Sequence, residues 1–177
     1  FPASCAIQKE IYSQFAINPK NGDIYAVDTA GLRKLDAKTG IVSTFIVHGT
    51  SNFPTNGPLP ASPVFSISSG YLNLAFDSKG RLYIGEDSGF YSVVIYQIDL
   101  DNSWVRKYAG GGLDDNGGGV ATSLQIVSGG YNFDELDSLY VWTYCGGVAV
   151  NSGTYATVGK RIVKIAQNSD GTVGATT

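Results

Sequence analysis

Short runs of alternating apolar and polar side chains recur along the chain, and turn-forming residues separate them. In one such run Ile24 and Ala26 alternate with Tyr25 and Val27, which is the period-two pattern of a half-buried strand. Glycine closes the turns beside these runs, as Gly22 does here, because it adopts the left-handed conformation that a short hairpin needs. The pattern therefore predicts an all-β fold made of many short strands.

This pattern occurs three times, and each occurrence centres on an anchor tyrosine in its second strand. The anchors are Tyr25, Tyr83 and Tyr140, at spacings of 58 and 57 residues. Four strands are predicted in each unit, with third strands at 32–36, 93–99 and 161–166 and fourth strands at 41–47, 104–108 and around Val173. Four antiparallel strands per unit are typical of β-propeller blades. The predicted blades span about 1–58, 59–118 and 119–177 of a single repeat domain.

One connection varies between the repeats while the rest keeps its length. From the anchor tyrosine to the apolar anchor of the third strand, the spacing grows from 10 to 15 to 25 residues. Variation confined to one connection indicates a surface loop on a constant scaffold. Aromatic side chains in these loops suit protein or sugar contacts, although they would equally well pack the loops onto the strands. These candidate interaction residues are Phe90, Tyr91, Tyr144 and Tyr155.

Several segments of these repeats resemble the motifs of a known family. Segment 16–29, AINPKNGDIYAVDT, is similar to the central motif of the NHL-repeat family. Segments 32–36 and 39–44 resemble the strand pair that follows this motif, and segments 108–112 and 114–124 resemble the glycine-rich loop between blades of one NHL subgroup. The third repeat departs from the pattern, because 135–137 replaces the glycine turn and 145–159 is inserted. The resemblance implies a propeller architecture. It implies chemistry only weakly, because the family consists mostly of binding and interaction scaffolds.

Three blades are too few to close a ring, since propellers typically have 4–8. An isolated set of three would leave an apolar sheet face bare at each end, which is unfavourable in water. We therefore expect a homo-oligomer or polymer, either a ring-closing dimer or a head-to-tail filament. Membership of a longer propeller is the third solution, and the sequence does not choose among the three.

Composition narrows the location and the partners. The formal net charge is −3 and no basic stripe is present, which argues against nucleic acid, and no apolar run approaches the ~20 residues needed to cross a membrane. The chain contains no methionine and two cysteines, which favours a processed, secreted protein. Cys5 and Cys145 lie in blades one and three, so we predict a disulfide between neighbouring chains. If the blades curl tightly the same pair would close within one chain, and two free thiols are the other alternative.

Candidate catalytic chemistry is sparse. His48 is the only histidine, whereas zinc sites and Ser-His-Asp triads need histidines with supporting groups, so we predict no catalytic residue and no cofactor. Calcium is the metal for which we consider the carboxylates as ligands, because it binds through oxygen atoms. Asp28, Glu86 and Asp87 occupy equivalent strand ends that would face a central channel, as calcium-binding carboxylates do in some six-bladed lactonases. Asp114 and Asp115 are further candidates for calcium, although adjacent carboxylates in a turn are usually solvated.

These observations together favour a secreted, non-enzymatic structural or interaction scaffold that assembles with itself. The alternative from a different class is a propeller enzyme of the lactonase or lyase type with a metal in its channel. A carbohydrate-binding module that uses the loop aromatics is a third hypothesis, with a glycan in place of a protein partner.

Overall fold

The fold is all-β, as the alternating pattern predicts. The computed structural model describes residues 15–66, 73–87, 93–112, 120–123, 126, 130–145, 149–150, 154–155, 159–167 and 173–176. Within these residues there is one short 3-10 turn, Ala121–Ser123, and no helix long and apolar enough to cross a membrane. The strands are β1 (Phe15–Ile17), β2 (Ile24–Asp28), β3 (Gly31–Leu35), β4 (Val42–His48), β5 (Asn56–Pro58), β6 (Val64–Phe65), β7 (Leu74–Phe76), β8 (Leu82–Asp87), β9 (Val93–Asp99), β10 (Trp104–Gly110), β11 (Tyr131–Phe133), β12 (Leu139–Cys145), β13 (Ala149–Val150), β14 (Thr154–Tyr155), β15 (Gly159–Gln167) and β16 (Val173–Thr176).

Three sheets each contain a run of four strands in the order of one predicted repeat. The first sheet has the order β1-β2-β3-β4-β6, the second β5-β10-β9-β8-β7 and the third β11-β12-β15-β16. Each anchor tyrosine lies in the second strand of its run, and the predicted strands agree with the observed ones to within about two residues at most ends. Sequential antiparallel strands with short turns arise because each hairpin needs only local pairing.

The turn between the first and second strands begins in the same way in all three sheets, although the first turn is one residue longer than the other two. The side-chain oxygen of the first turn residue accepts a hydrogen bond from the backbone N–H two residues later. These bonds run from Lys20 to Asn18 (2.9 Å), from Lys79 to Asp77 (3.1 Å) and from Leu136 to Asp134 (3.0 Å). The left-handed residue that follows is Gly22 (φ 79°) or Gly80 (φ 72°) in the first two repeats. Asp137 takes this conformation in the third (φ 58°), so the turn survives the loss of its glycine.

The segment that joins the first repeat to the second adds an outer strand to both sheets. Its β5 pairs antiparallel with β10, placing Pro58 opposite Trp104. Its β6 pairs in parallel with β4, placing Val64 opposite Val47. The linking segment therefore ties the outer strands of the first two sheets together.

An apolar core lies between the first and second sheets. Both sheets contribute side chains to it, and the first strands β1 and β7 lie next to each other. Burial of this apolar surface is the main force that holds the two sheets together. The buried members of the cluster are Tyr25, Val27, Leu32, Ile46, Phe65, Leu74, Leu82, Ile84, Ile98 and Val105.

The chain divides into two compact units, of which one comprises residues 1–87 and 95–107 and the other residues 88–94 and 108–177. The second unit contains the third sheet, in which β12 and β15 pair from Leu139 opposite Ile165 to Cys145 opposite Gly159. The insertion predicted at 145–159 begins where this pairing ends, and it includes the short hairpin of β13 and β14. The blade boundaries predicted at 58 and 118 stay a prediction.

Candidate interaction surface

The first sheet exposes large apolar side chains on its first strand. The side chains of Phe15 and Ile17 point to the same side of β1, and their cross-strand neighbours are Ala26 and Ile24. Phe15 is 65% exposed and Ile17 is 51% exposed. We call Phe15, Ile17 and Ile24 the Phe15 face. Adjacent apolar side chains that stay in water are characteristic of surfaces that bind a partner.

The third sheet exposes a second apolar surface. Tyr140 lies opposite Lys164. Ile162 lies two residues before Lys164 and on the same side of β15. Tyr140 is 37% exposed and Ile162 is 60% exposed, whereas Leu139 and Val163 on the opposite side of the sheet are fully buried. The Lys164 ammonium lies 5.5 Å from the centre of the Tyr140 ring, a cation–π distance that holds the ring in place. We call Tyr140, Ile162 and Lys164 the Tyr140 face.

Where two sheets meet within the first unit, the anchor tyrosine occupies the centre of the contact. Tyr25 is 3% exposed, and its ring meets Phe45 (5.6 Å between ring centres) and Phe76 (5.3 Å) edge to face. Burial, with a smaller contribution from the charge of Asp23, raises the pKa of Tyr25 to about 12. Tyr25 is therefore an apolar contact residue of the junction between the first and second sheets.

A lysine and an aspartate border the anchor tyrosine in both the first and the third sheet. Lys34 lies opposite Tyr25 and its ammonium contacts Asp23 at 2.7 Å. Lys164 lies opposite Tyr140 and its ammonium is 3.8 Å from Asp134. The pKa of Asp134 is lowered chiefly by the hydrogen bond from the Ser138 backbone, so its carboxylate is charged at neutral pH. In both sheets, therefore, the anchor tyrosine lies opposite a lysine whose ammonium group is paired with an aspartate.

Two of the carboxylates predicted to line a channel, Asp28 and Glu86, accept hydrogen bonds from backbone groups. Asp28 is fully buried and accepts hydrogen bonds from the backbone N–H groups of Ala30 (2.8 Å) and Gly31 (3.2 Å), while Arg33 contacts its other oxygen at 3.3 Å. Glu86 accepts a hydrogen bond from the Ser66 backbone (3.3 Å). Burial raises the pKa of Glu86, although the hydrogen bonds from Ser66 and Ser51 oppose this.

Metal-binding clusters of three or more His, Cys, Asp or Glu side chains do not occur among the residues that the structure describes. Asp87 ends β8, and its side chain lies outside the described part. Asp114 and Asp115 also lie outside the described residues. The structure thus gives Asp28 and Glu86 a structural setting and leaves the calcium hypothesis for the other three untested.

The remaining predicted residues are placed only in part. His48 ends β4 as an exposed residue, and its backbone N–H donates to the Ala30 carbonyl (3.1 Å). Cys145 ends β12, but Cys5 lies outside the described residues, so their disulfide stays a prediction. Among the loop aromatics, Tyr144 belongs to β12 and Tyr155 to β14 with their side chains undescribed, while the two outside the described residues are Phe90 and Tyr91.

A polar chain across the second sheet was not predicted from the sequence. The Tyr83 hydroxyl donates to Asp77 (3.1 Å) and accepts from the Gln97 amide, whose oxygen accepts from Arg106 (2.7 Å). Arg81 completes the chain with an ion pair to Asp77. The available signal was Gln97 itself, a polar residue that follows the run VVIY inside the strand VVIYQID. Such a residue needs a buried partner.

A scan against protein-family models gives no match, and neither does a search of curated proteins.

Proposed function

We propose that the protein is a secreted, non-enzymatic structural scaffold built of NHL-like β-propeller blades, and that its copies associate with one another. The observation that carries this proposal is the pair of exposed apolar surfaces, the Phe15 face and the Tyr140 face. Both lie on regular sheet, where side chains are held in fixed positions and present a preformed surface. A preformed surface loses little conformational entropy on binding.

Burial of the apolar side chains on these faces would favour association. Fully burying one large apolar side chain is worth about 1.5–3 kcal/mol. Phe15, Ile17, Tyr140 and Ile162 are each more than a third exposed, so a large part of this free energy is still to be gained. A contact that covers all four would offset much of the entropy that association loses.

The arrangement of strands supports blades as the repeating unit. Three runs of four antiparallel strands follow one another, and the first strands of the first two sheets, β1 and β7, lie side by side. Neighbouring blades of a propeller are arranged in this way. The chemistry of the described carboxylates supports a structural role, because Asp28 accepts hydrogen bonds from the turn after β2 and Glu86 accepts one from Ser66, next to β6.

Light scattering on the eluting size-exclusion peak tests the proposal. We expect a mass above the 18.7 kDa of one chain, rising with concentration through the micromolar range. Ile17→Glu should return the mass to that of one chain, because it places a charge in the Phe15 face. Ile41→Glu is the matched control: Ile41 is 55% exposed, close to the value for Ile17, but lies in the turn before β4. The proposal would be contradicted if the wild-type protein stayed monomeric when its loading concentration was raised 100-fold. It would also be contradicted if both variants lost association equally.

A further inference from the structure

The junction between the first and second sheets can be compared position by position with the exposed faces. Tyr25 and Leu32 of the first sheet belong to the core shared with the second sheet, where Tyr25 meets Phe76. With the anchor tyrosines aligned, Tyr140 of the third sheet matches Tyr25. With the third-strand anchors Leu35 and Ile165 aligned, Ile162 matches Leu32. The Tyr140 face therefore has the residues with which one sheet packs onto the next.

The Phe15 face matches the other half of the same junction. The segment Phe15-Ala16-Ile17-Asn18 aligns with Leu74-Ala75-Phe76-Asp77, so Phe15 corresponds to Leu74 and Ile17 to Phe76. Leu74 is buried, and Phe76 packs against the core, whereas Phe15 and Ile17 are mostly exposed. Ile17 therefore corresponds to Phe76, which contacts Tyr25, and Phe15 corresponds to Leu74, a buried member of the same core.

The turns supply a second, independent contact of the same kind. The side chain of Lys20 packs against Gly80, where an added Cβ would lie 2.5 Å from the Lys20 Cδ. Leu136 corresponds to Lys20 by its backbone hydrogen bond to the first turn residue, and Leu136 is 83% exposed. Gly22 corresponds to Gly80, and a Cβ built there would meet only Ala37, at 3.5 Å. The exposed leucine and the uncrowded glycine thus occupy the two positions that Lys20 and Gly80 hold in the observed turn-to-turn contact.

We propose that the Tyr140 face of one copy packs onto the Phe15 face of a second copy, and that this contact reproduces the junction between the first and second sheets. Tyr140 and Ile162 of one copy cover Phe15 and Ile17 of the next, and Leu136 packs against Gly22. The inference rests on the proposed function, since it names the partner and the two surfaces of the self-association. Because the two surfaces differ, the contact is heterologous and continues into a ring or a filament.

Complementation between two blocked variants tests this pairing. Ile17→Glu blocks only the Phe15 face and Ile162→Glu blocks only the Tyr140 face. Both residues are at least half exposed, so the fold should tolerate the changes, and far-ultraviolet circular dichroism checks this for each protein. The variants Ile17→Ser and Ile162→Ser serve as a second, milder pair.

Each variant alone should sediment as a monomer, because no intact pair of faces remains. An equimolar mixture should form a 1:1 complex of twice the 18.7 kDa chain mass and no larger species, because one intact face from each variant is left. A dye on one variant identifies the mixed complex in analytical ultracentrifugation. If wild type associates but the mixture stays monomeric, or either variant alone still dimerises, the pairing of faces is wrong while the proposed self-association stands. A monomeric wild-type protein overturns both.

Discussion

Replacement of Tyr25 by alanine should destabilise the protein far more than the same replacement at Tyr140, although both residues are the anchor of a repeat. Tyr25 is 3% exposed and meets two aromatic rings, Phe45 and Phe76, edge to face. Each such contact contributes about 0.5–1.5 kcal/mol beyond the burial of area. Removing a buried aromatic side chain leaves a cavity as well, and the total loss is typically about 3–5 kcal/mol.

Tyr140 should contribute much less to the stability of one chain. It is 37% exposed, and its ring interacts with the Lys164 ammonium at 5.5 Å. A cation–π contact at an exposed site is worth about 0.5–1 kcal/mol. We therefore expect Tyr140→Ala to lower the free energy of unfolding by about 1 kcal/mol, with its main effect on association.

Urea unfolding followed by far-ultraviolet circular dichroism, at a concentration low enough to keep the chain monomeric, measures the difference. With a slope of about 2 kcal/mol/M, a loss of about 4 kcal/mol lowers the unfolding midpoint by roughly 2 M for Tyr25→Ala. Tyr25→Phe keeps the ring and should stay within about 1 kcal/mol of wild type. Equal losses in Tyr25→Ala and Tyr140→Ala would refute the conclusion that only the first of these anchors lies in a sheet-to-sheet core.

Three further predictions concern a turn, a buried acid and the cysteines. Gly80→Ala should lower the free energy of unfolding by more than the roughly 1–2 kcal/mol expected for Gly40→Ala. Both glycines have positive φ, but only at Gly80 would an added Cβ meet neighbouring atoms. Equal losses in urea unfolding would exclude this crowding. Burial raises the pKa of Glu86 above 4.5, so the folded state binds the Glu86 proton more tightly than the unfolded state does. The stability that this proton provides is present at acid pH and is lost as pH rises through the folded-state pKa. Glu86→Gln should therefore stabilise the protein at pH 7 more than at pH 4, and thermal unfolding that gives the same gain at both values would contradict this. Non-reducing electrophoresis should show multimers that collapse to one band with reductant if Cys5 of one chain bonds to Cys145 of the next, whereas a single monomer band under both conditions would rule out the interchain bond.

The buried carboxylates show where reasoning from sequence was insufficient. Asp28 and Glu86 occupy the same position of equivalent strands, and the repeat alone suggested that they face a common channel. Their partners come from a tight turn in one case and from Ser66, 20 residues earlier in the chain, in the other. A carboxylate that binds a metal and one that accepts backbone hydrogen bonds have the same sequence pattern, so the distinction requires the positions of distant backbone groups.

By itself the sequence determined the all-β class and the positions of most strands. These features depend on neighbours close in the chain, because strand alternation and turn conformation are local properties. The tertiary structure alone decided that Tyr25 is buried and Tyr140 partly exposed, although both occupy one position of the repeat. Burial depends on which sheet faces a side chain, and that contact joins residues about 50 positions apart, as in Tyr25 and Phe76. For the same reason, only the structure identified the Phe15 face and the Tyr140 face as the surfaces available to a partner.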